Sequence, residues 1–272
     1  MVTPRYAFDA THALRGSLLR KLLPCRRIIL LSDFDGTLAP IRPTPAEARM
    51  PARTRKLLYL LSNHPSITVG IVTGRSLPDI RRKVGKSHML LVANHGFEIF
   101  FDRLSWVHPW AERAVPLLRQ LALRLRKQLR PFSGVLVENK RYTLSVHYRS
   151  VPKRDVRRMR EVVLDFLLPF WKDFRITEGK KVVELRPNVP WDKGTAIQRV
   201  LTLLKREKHG CVIYIGDDTT DEDAFETLRG GGITVVVGRK KQSRAAYWVR
   251  DPAEVWEFLA ALAITLAERS KP

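Results

Sequence analysis

Residues 28–40 read IILLSDFDGTLAP. The apolar run that begins at Arg27 stops in acid at Asp33, as a parallel strand buried on both faces does when its carboxyl end opens into a site. Asp33 and Asp35 are one residue apart, so on an extended backbone their side chains project to the same side. Gly36 then permits a tight turn. Two carboxylates so placed can bind a hard cation together, or divide the roles of nucleophile and acid/base. Taken alone, the same triplet also fits an Asp-rich turn that caps a helix, so the rest of the chain decides.

Three other apolar runs end in a polar residue: 67–73 (ITVGIVT), 89–94 (MLLVAN) and 211–217 (CVIYIGD). Residues 234–237 (TVVV) suggest a fifth strand. Helical patterns at 51–62, 77–84, 193–206 and 221–228 separate several of them, and this alternation implies an α/β fold with a Rossmann-like parallel sheet covered by helices. Sites in such sheets lie at the carboxyl ends of the strands. Between Trp106 and Arg186 the rhythm changes to helix, two strands, helix, two strands, which marks an inserted α+β domain. Its helices carry apolar stripes, Leu118, Leu121, Leu125 and Leu129 in one and Val156, Met159, Val163 and Phe166 in the other, which read as core. The expected divisions are therefore a basic amphipathic segment at 1–27, a catalytic core at 28–105 and 187–272, and the insertion at 106–186.

At 272 residues either one large domain or a core with an insertion is long enough to bury a proper interior. Cys25 and Cys211 have neither the spacing of a zinc site nor the density of a secreted disulfide scaffold, so a reducing cytoplasm is the simplest setting. No apolar run approaches the length needed to span a bilayer, and no membrane partner is expected; residues 162–171 come nearest and contain Asp165 and Pro169. In residues 1–27 the leucines at 14, 18, 19, 22 and 23 alternate with Arg15, Arg20 and Lys21, and a docking amphipathic helix is favoured there over a transit peptide. The 49 basic residues against 27 acidic ones give a net charge of +22, which would attract nucleic acid, anionic membranes or a phosphorylated small molecule. Much of it falls on the helices of the insertion (Arg119, Arg124, Arg126, Lys127 and Arg130; Lys153, Arg154, Arg157, Arg158 and Arg160), where solvated faces are the simpler reading.

The densest acidic stretch is 214–225, YIGDDTTDEDAF. Asp221, Glu222 and Asp223 suit a helix start. That does not account for Asp217 and Asp218 directly after a strand, where crowded anions are unfavourable without a cation. Thr73-Gly74-Arg75 offers a hydroxyl, backbone amides and a guanidinium to a phosphate. Asp192-Lys193-Gly194 opens a helix with a lysine, a position mildly unfavourable for a cation unless an anion faces it.

In order and placement, the aspartate pair, Thr73, Lys193 and the Asp217 cluster resemble the four motifs of the haloacid dehalogenase superfamily. The segments DFDGTLAPI, ANHGFEI, VENKRYTLSVHYR, VVELRP with DKG, and IGDDTTDEDAF are similar to its trehalose-phosphatase branch over nearly all the chain after residue 27. The resemblance implies a hydrolase core with an α+β cap and hydrolysis of trehalose 6-phosphate, with Asp33 as nucleophile and Asp35 as acid/base. It implies Mg²⁺ held by the Asp33 carboxylate, the Asp35 carbonyl and the Asp217 carboxylate, supported by Asp218 and Asp221. Thr73 and Lys193 would hold the phosphoryl oxygens, and Arg75 the substrate. Glu138, Lys140 and Glu184, with Arg149 as a weaker addition, would recognise sugar hydroxyls from a mobile cap. His95 and His147 stay open between substrate contact and a structural role. A trehalose-phosphate synthase is a candidate partner, whereas nucleic acid is not expected despite the charge. A phosphatase for sucrose 6-phosphate or another sugar phosphate is the nearest alternative. A catalytically silent nucleic-acid-binding or regulatory protein is the alternative of another class.

Overall fold

In the computed structural model, which describes residues 1–179, 181–204 and 210–269, the run that begins at Arg27 lies in the middle of a nine-stranded sheet. The chain divides into two compact units, the first made of Met1–Arg42, Ala48–Ser105 and the chain from Trp191 onward. Its elements before the insertion are β1 (Arg5–Tyr6), α1 (Gly16–Leu22), β2 (Arg27–Ser32), α2 (Ala52–Ser62), β3 (Ile67–Val72), α3 (Leu77–Val84), β4 (Leu90–Ala93), β5 (Glu98–Phe101) and β6 (Leu104–Val107). The second unit contributes α4 (Pro109–Gln128), β7 (Leu136–Asn139), β8 (Leu144–His147), α5 (Lys153–Leu167), β9 (Phe174–Gly179) and β10 (Val182–Pro187). The first resumes with α6 (Lys193–Leu203), β11 (Gly210–Gly216), α7 (Asp221–Thr227), β12 (Gly232–Val237), β13 (Tyr247–Val249) and α8 (Pro252–Arg269). The rest of the helical run expected after Leu203, at Lys205 and Arg206, lies outside the described residues.

The sheet order is β1-β13-β12-β11-β2-β3-β4-β5-β6. Pairing is parallel from β1 to β4, and β5 returns antiparallel to β4. After β2 the chain moves outward through β3 and β4, then re-enters on the other side of β2 at β11. The crevice beyond the carboxyl ends of β2 and β11 is therefore the topological switch point, where open α/β sheets bind ligands. Leu30, Val69 and Ile71 from the sheet join Leu58, Leu61, Ile80, Val84, Phe258 and Leu262 from α2, α3 and α8 in one apolar cluster.

The leucine stripe of residues 14–22 faces the interior of this unit. Leu14, Leu18 and Leu22 are buried in that same cluster, and β1 pairs in parallel with β13 at the sheet edge. A seven-residue helix gains little from its own hydrogen bonds, so packing on the sheet is what holds α1. Directly after it, a disulfide joins Cys25 to Cys211, which lie 186 residues apart in sequence and 5.5 Å apart between Cα atoms. The sequence spacing gave no sign of this link, which depends on the sheet: β2 and β11 are neighbours in parallel register, with Cys211 opposite Ile28.

The second unit comprises Pro43–Glu47 and Trp106–Pro190. It runs past Arg186 because Asn188 donates its backbone N–H to the Asp173 carbonyl (2.8 Å) and its side chain to the Trp171 carbonyl (3.2 Å). Its four strands form an antiparallel sheet in the order β7-β8-β10-β9. Val137, Leu144, Val146, Val183 and Leu185 pack with Leu118, Leu121 and Leu125 of α4 and Met159 and Val163 of α5. The basic residues Arg119, Arg124, Arg126, Lys127 and Arg130 of the α4 region, and Lys153, Arg154, Arg157 and Arg158 of α5, are exposed. Among the described residues no helix is long and apolar enough to cross a membrane.

Candidate active site

Asp33 and Asp217 directly follow β2 and β11 at the switch point, and the ladder continues one step beyond β2 as the Asp33 N–H donates to the Ile215 carbonyl (2.8 Å). Lys193 opens α6, behind a capping box in which Asp192 accepts from the Thr195 N–H and the Thr195 side chain accepts from the Asp192 N–H. Its ammonium is buried between two carboxylates, donating to Asp33 Oδ1 (2.9 Å) and Asp221 Oδ1 (2.7 Å). Those anions offset both the desolvation of the ammonium and its unfavourable place at a helix start. Burial opposes its charge, yet Asp221 and Asp33 hold the Lys193 pKa well above the usual lysine range. Burial pushes the Asp33 carboxyl well above the ordinary carboxylate range; Lys193 pulls the other way, and the carboxylates of Asp221, Asp217 and Asp218 add to the rise.

Oxygens of Asp33, Asp217 and Asp221 lie within 4.8 Å of one another. Asp221, however, already receives four donors. Its Oδ1 accepts from Lys193 and from the Tyr214 hydroxyl (2.6 Å), and its Oδ2 from the backbone N–H groups of Asp217 (2.9 Å) and Asp218 (3.0 Å). Asp221 is thus the anchor of the turn that presents Asp217. Asp218 braces the same turn by accepting from the Thr220 N–H (2.8 Å) and hydroxyl (2.7 Å). A side chain at Gly216 would collide with the Asp221 carboxyl group, and one at Gly36, where φ is +85°, would collide with the Asp217 carboxylate. Acidic oxygens so close together, those of Asp33 and Asp221 buried and those of Asp217 partly so, are a donor set that suits a hard divalent cation.

Thr73 and Arg75 lie just beyond β3, the neighbour of β2, and both are buried. Thr73 accepts the Arg75 N–H at Oγ1 (3.2 Å). The Arg75 guanidinium donates through Nε and Nη2 to the two oxygens of Asp35 (2.6 and 2.7 Å), and through Nη1 to Asp79. Arg75, expected to bind substrate, thus holds Asp35 through two of its nitrogens. His95 and Asn94 both have positive φ, and their N–H groups donate to the carbonyls of Thr73 (2.9 Å) and Arg75 (2.8 Å), which fixes the loop behind Thr73.

In the second unit, Glu138, Ser145, Glu184 and Thr177 form one register row across all four strands, on the face opposite Val137, Val146 and Val183. Glu184 accepts from Lys140 Nζ (3.0 Å) and Ser145 Oγ (3.0 Å) at Oε1, and from Arg186 Nε (2.8 Å) at Oε2. Glu138 pairs with His147 Nε2 (2.9 Å). The structure thus unites Lys140 with Glu184 and pairs Glu138 with His147. Arg149 lies beyond the end of β8 and is exposed.

The family model described as trehalose-phosphatase matches residues 31–253. The chain belongs to the trehalose-phosphatase family. The trehalose-phosphate phosphatase of Mycolicibacterium paratuberculosis is 37% identical over 94% of this chain and 66% of that protein. An uncharacterised glycosyl hydrolase of Mycobacterium tuberculosis is 36% identical over 93% of this chain and 19% of its own length. The chain therefore spans between about a fifth and about two thirds of the curated relatives it matches. A solved trehalose-6-phosphate phosphatase related protein shares the fold, with a TM-score of 0.78 and 24% identity over 89% of this chain and 100% of that one.

The motifs that carry the likeness to the trehalose-phosphatase family leave Tyr214, Asp79, Ser145 and Arg186 without a role. Asp79 stands four residues after Arg75, the spacing of an ion pair on one helical turn. Arg186 stands two after Glu184 on one strand, hence on the same face. Those spacings were visible, but nothing local distinguishes them from surface pairs.

Proposed function

We propose that this chain hydrolyses trehalose 6-phosphate to trehalose and phosphate through an aspartyl-phosphate on Asp33. The observation that carries this reading is the buried Lys193 bound to both Asp33 and Asp221, with Asp217 beside them at the switch point, in a chain of the trehalose-phosphatase family. An Asp33 oxygen attacks phosphorus in line, and the bond from phosphorus to the sugar oxygen breaks. Asp35 gives the departing oxygen its proton. Asp35 then takes a proton from water as that water attacks phosphorus, which releases phosphate and restores the Asp33 carboxylate.

Thr73 and Lys193 bind the transferring oxygens, so charge is reduced and the line of attack is fixed. The Asp33 and Asp217 carboxylates and the Asp35 backbone carbonyl would hold Mg²⁺, which supplies charge neutralisation at the phosphoryl group and accepts such an oxygen set. Glu138, Lys140 and Glu184 recognise sugar hydroxyls, for which a rigid row of charged groups on one sheet face is suited.

Phosphate release from trehalose 6-phosphate, sucrose 6-phosphate and glucose 6-phosphate in magnesium tests the substrate. A strong preference for trehalose 6-phosphate is expected, and a preference for either other compound overturns it. No release from any of them, with salt-dependent binding to DNA or RNA, would instead favour a nucleic-acid-binding role.

A further inference from the structure

We propose that Arg75, gripped from its far side by Asp79, is a positioning residue that selects the orientation from which the Asp35 carboxyl group serves both half-reactions, giving its proton to the sugar oxygen in the first and taking one from water in the second. This inference rests on the proposed role of Asp35. Its basis is an unequal pair: the Arg75 side chain is 7% exposed and the Asp35 side chain 41%. The acid/base group is thus held from the protein side by a buried fork, with the remainder of its surface turned outward.

Two parallel N–H donors on two oxygens of one carboxylate fix its plane as well as its distance, which a single bond does not. The guanidinium is itself fixed. It lies over the Phe34 ring, with Cζ 5.2 Å from the centroid, and its third nitrogen is taken by Asp79 in the first turn of α3. That turn is tethered in its place, because the Leu77 N–H donates to Glu98 Oε1 (3.1 Å), which also accepts from Asn94 Nδ2 (2.6 Å). On the other side, the Asp35 backbone bridges to Ala39 and the Gly36 N–H donates to the Ala39 carbonyl (2.7 Å), so the turn carrying Asp35 cannot drift. With both ends anchored, the remaining freedom is the Asp35 side chain, and Arg75 removes it. Acid/base groups must sit within hydrogen-bond reach of the oxygen they serve, and small misplacements cost large factors in rate.

Leaving-group dependence separates positioning of Asp35 from general support of the fold. A sugar oxygen needs a proton as it departs; 4-nitrophenolate does not. Loss of orientation at Asp35 should therefore slow both half-reactions with a sugar phosphate, but only the breakdown of phosphorylated Asp33 with 4-nitrophenyl phosphate. Arg75→Lys keeps the charge and loses the fork. It is expected to lower kcat for trehalose 6-phosphate by roughly 10²-fold, within the range for acid/base assistance. With 4-nitrophenyl phosphate its first turnover should stay within about threefold of wild type, followed by slow turnover, giving a burst of one nitrophenolate per site larger than in wild type. Asp79→Asn, at a more exposed position, should give the same pattern with a smaller factor. The proposal is overturned if either variant, still folded by thermal melting, loses first-turnover and steady-state rates equally on both substrates, or behaves as wild type. Should wild type hydrolyse 4-nitrophenyl phosphate and another sugar phosphate but not trehalose 6-phosphate, the substrate reading fails. That other sugar phosphate then takes its place in the comparison, and Arg75 is still tested.

Discussion

Lys193 is buried against Asp33 and Asp221, and removing one member of such a group leaves uncompensated charge in the interior. Lys193→Met should therefore abolish turnover and destabilise the fold by about 3–5 kcal/mol at neutral pH in the presence of a chelator. A carboxyl whose folded-state pKa is raised favours the folded state below its unfolded value, near 3.9, and that contribution is lost as the pH rises through the folded value. Burial already raises Asp33, and loss of the lysine raises it further. The deficit should thus be largest near neutrality and shrink as the solution is acidified toward pH 4. Urea denaturation at pH 5 and pH 8 measures it, and an equal deficit at both would show that these carboxylates are not its cause. Asp33→Asn, which leaves no carboxylate to attack phosphorus, should abolish both turnover and phosphoenzyme. Asp33, Asp217 and Lys193 were legible because each ends or begins an element whose apolar pattern is unambiguous. Tyr214 was not, since a phenol within an apolar strand reads as core until the Asp221 carboxylate is seen beneath it.

At the scale of elements, the alternation of apolar runs with helical patterns identified β2, β3, β4, β11 and β12 and both helices of the second unit. At the amino terminus an amphipathic helix was legible but the surface it packs on was not, because a leucine stripe records that a face is covered, and not by what. Leu18 is fully buried in the cluster shared with α8. Leu18→Ala should cost about 2–5 kcal/mol, as truncation inside a packed core does, whereas a docking helix would tolerate it. The same segment is latched by Tyr6, whose hydroxyl donates to Glu254 Oε1 (2.6 Å) in the first turn of α8. Burial, then the bond to Glu254, pushes the Tyr6 pKa up to about 12 from the ordinary tyrosine value near 10. The stabilisation is complete below about pH 10 and is lost as the pH rises through about 12. Tyr6→Phe should lower stability by about 1 kcal/mol at neutral pH, and its gap from wild type should close across that alkaline window. A gap that stays constant from pH 9 to pH 12 would mean that this hydroxyl does not latch the strand.

For the molecule as a whole, the least legible feature is the link between Cys25 and Cys211, because two cysteines so far apart become neighbours only once β2 and β11 are paired. The covalent loop they close runs from the end of α1 to the start of β11, so it contains every residue of the second unit. Two consequences follow from that topology. Loop closure of this length stabilises the native state by up to about 5 kcal/mol in the chain-entropy account, so dithiothreitol should lower the denaturation midpoint of the wild type and leave Cys25→Ser unchanged. A single proteolytic cut within the second unit should yield fragments that migrate together on a denaturing gel without reductant and separate with it, since the disulfide is then their one covalent connection. Cys25→Ser should separate in both lanes. Fragments of the wild type that part without reductant would show that the protein in solution carries two thiols, as expected of a reducing compartment, and the effect of dithiothreitol on the midpoint should then vanish as well.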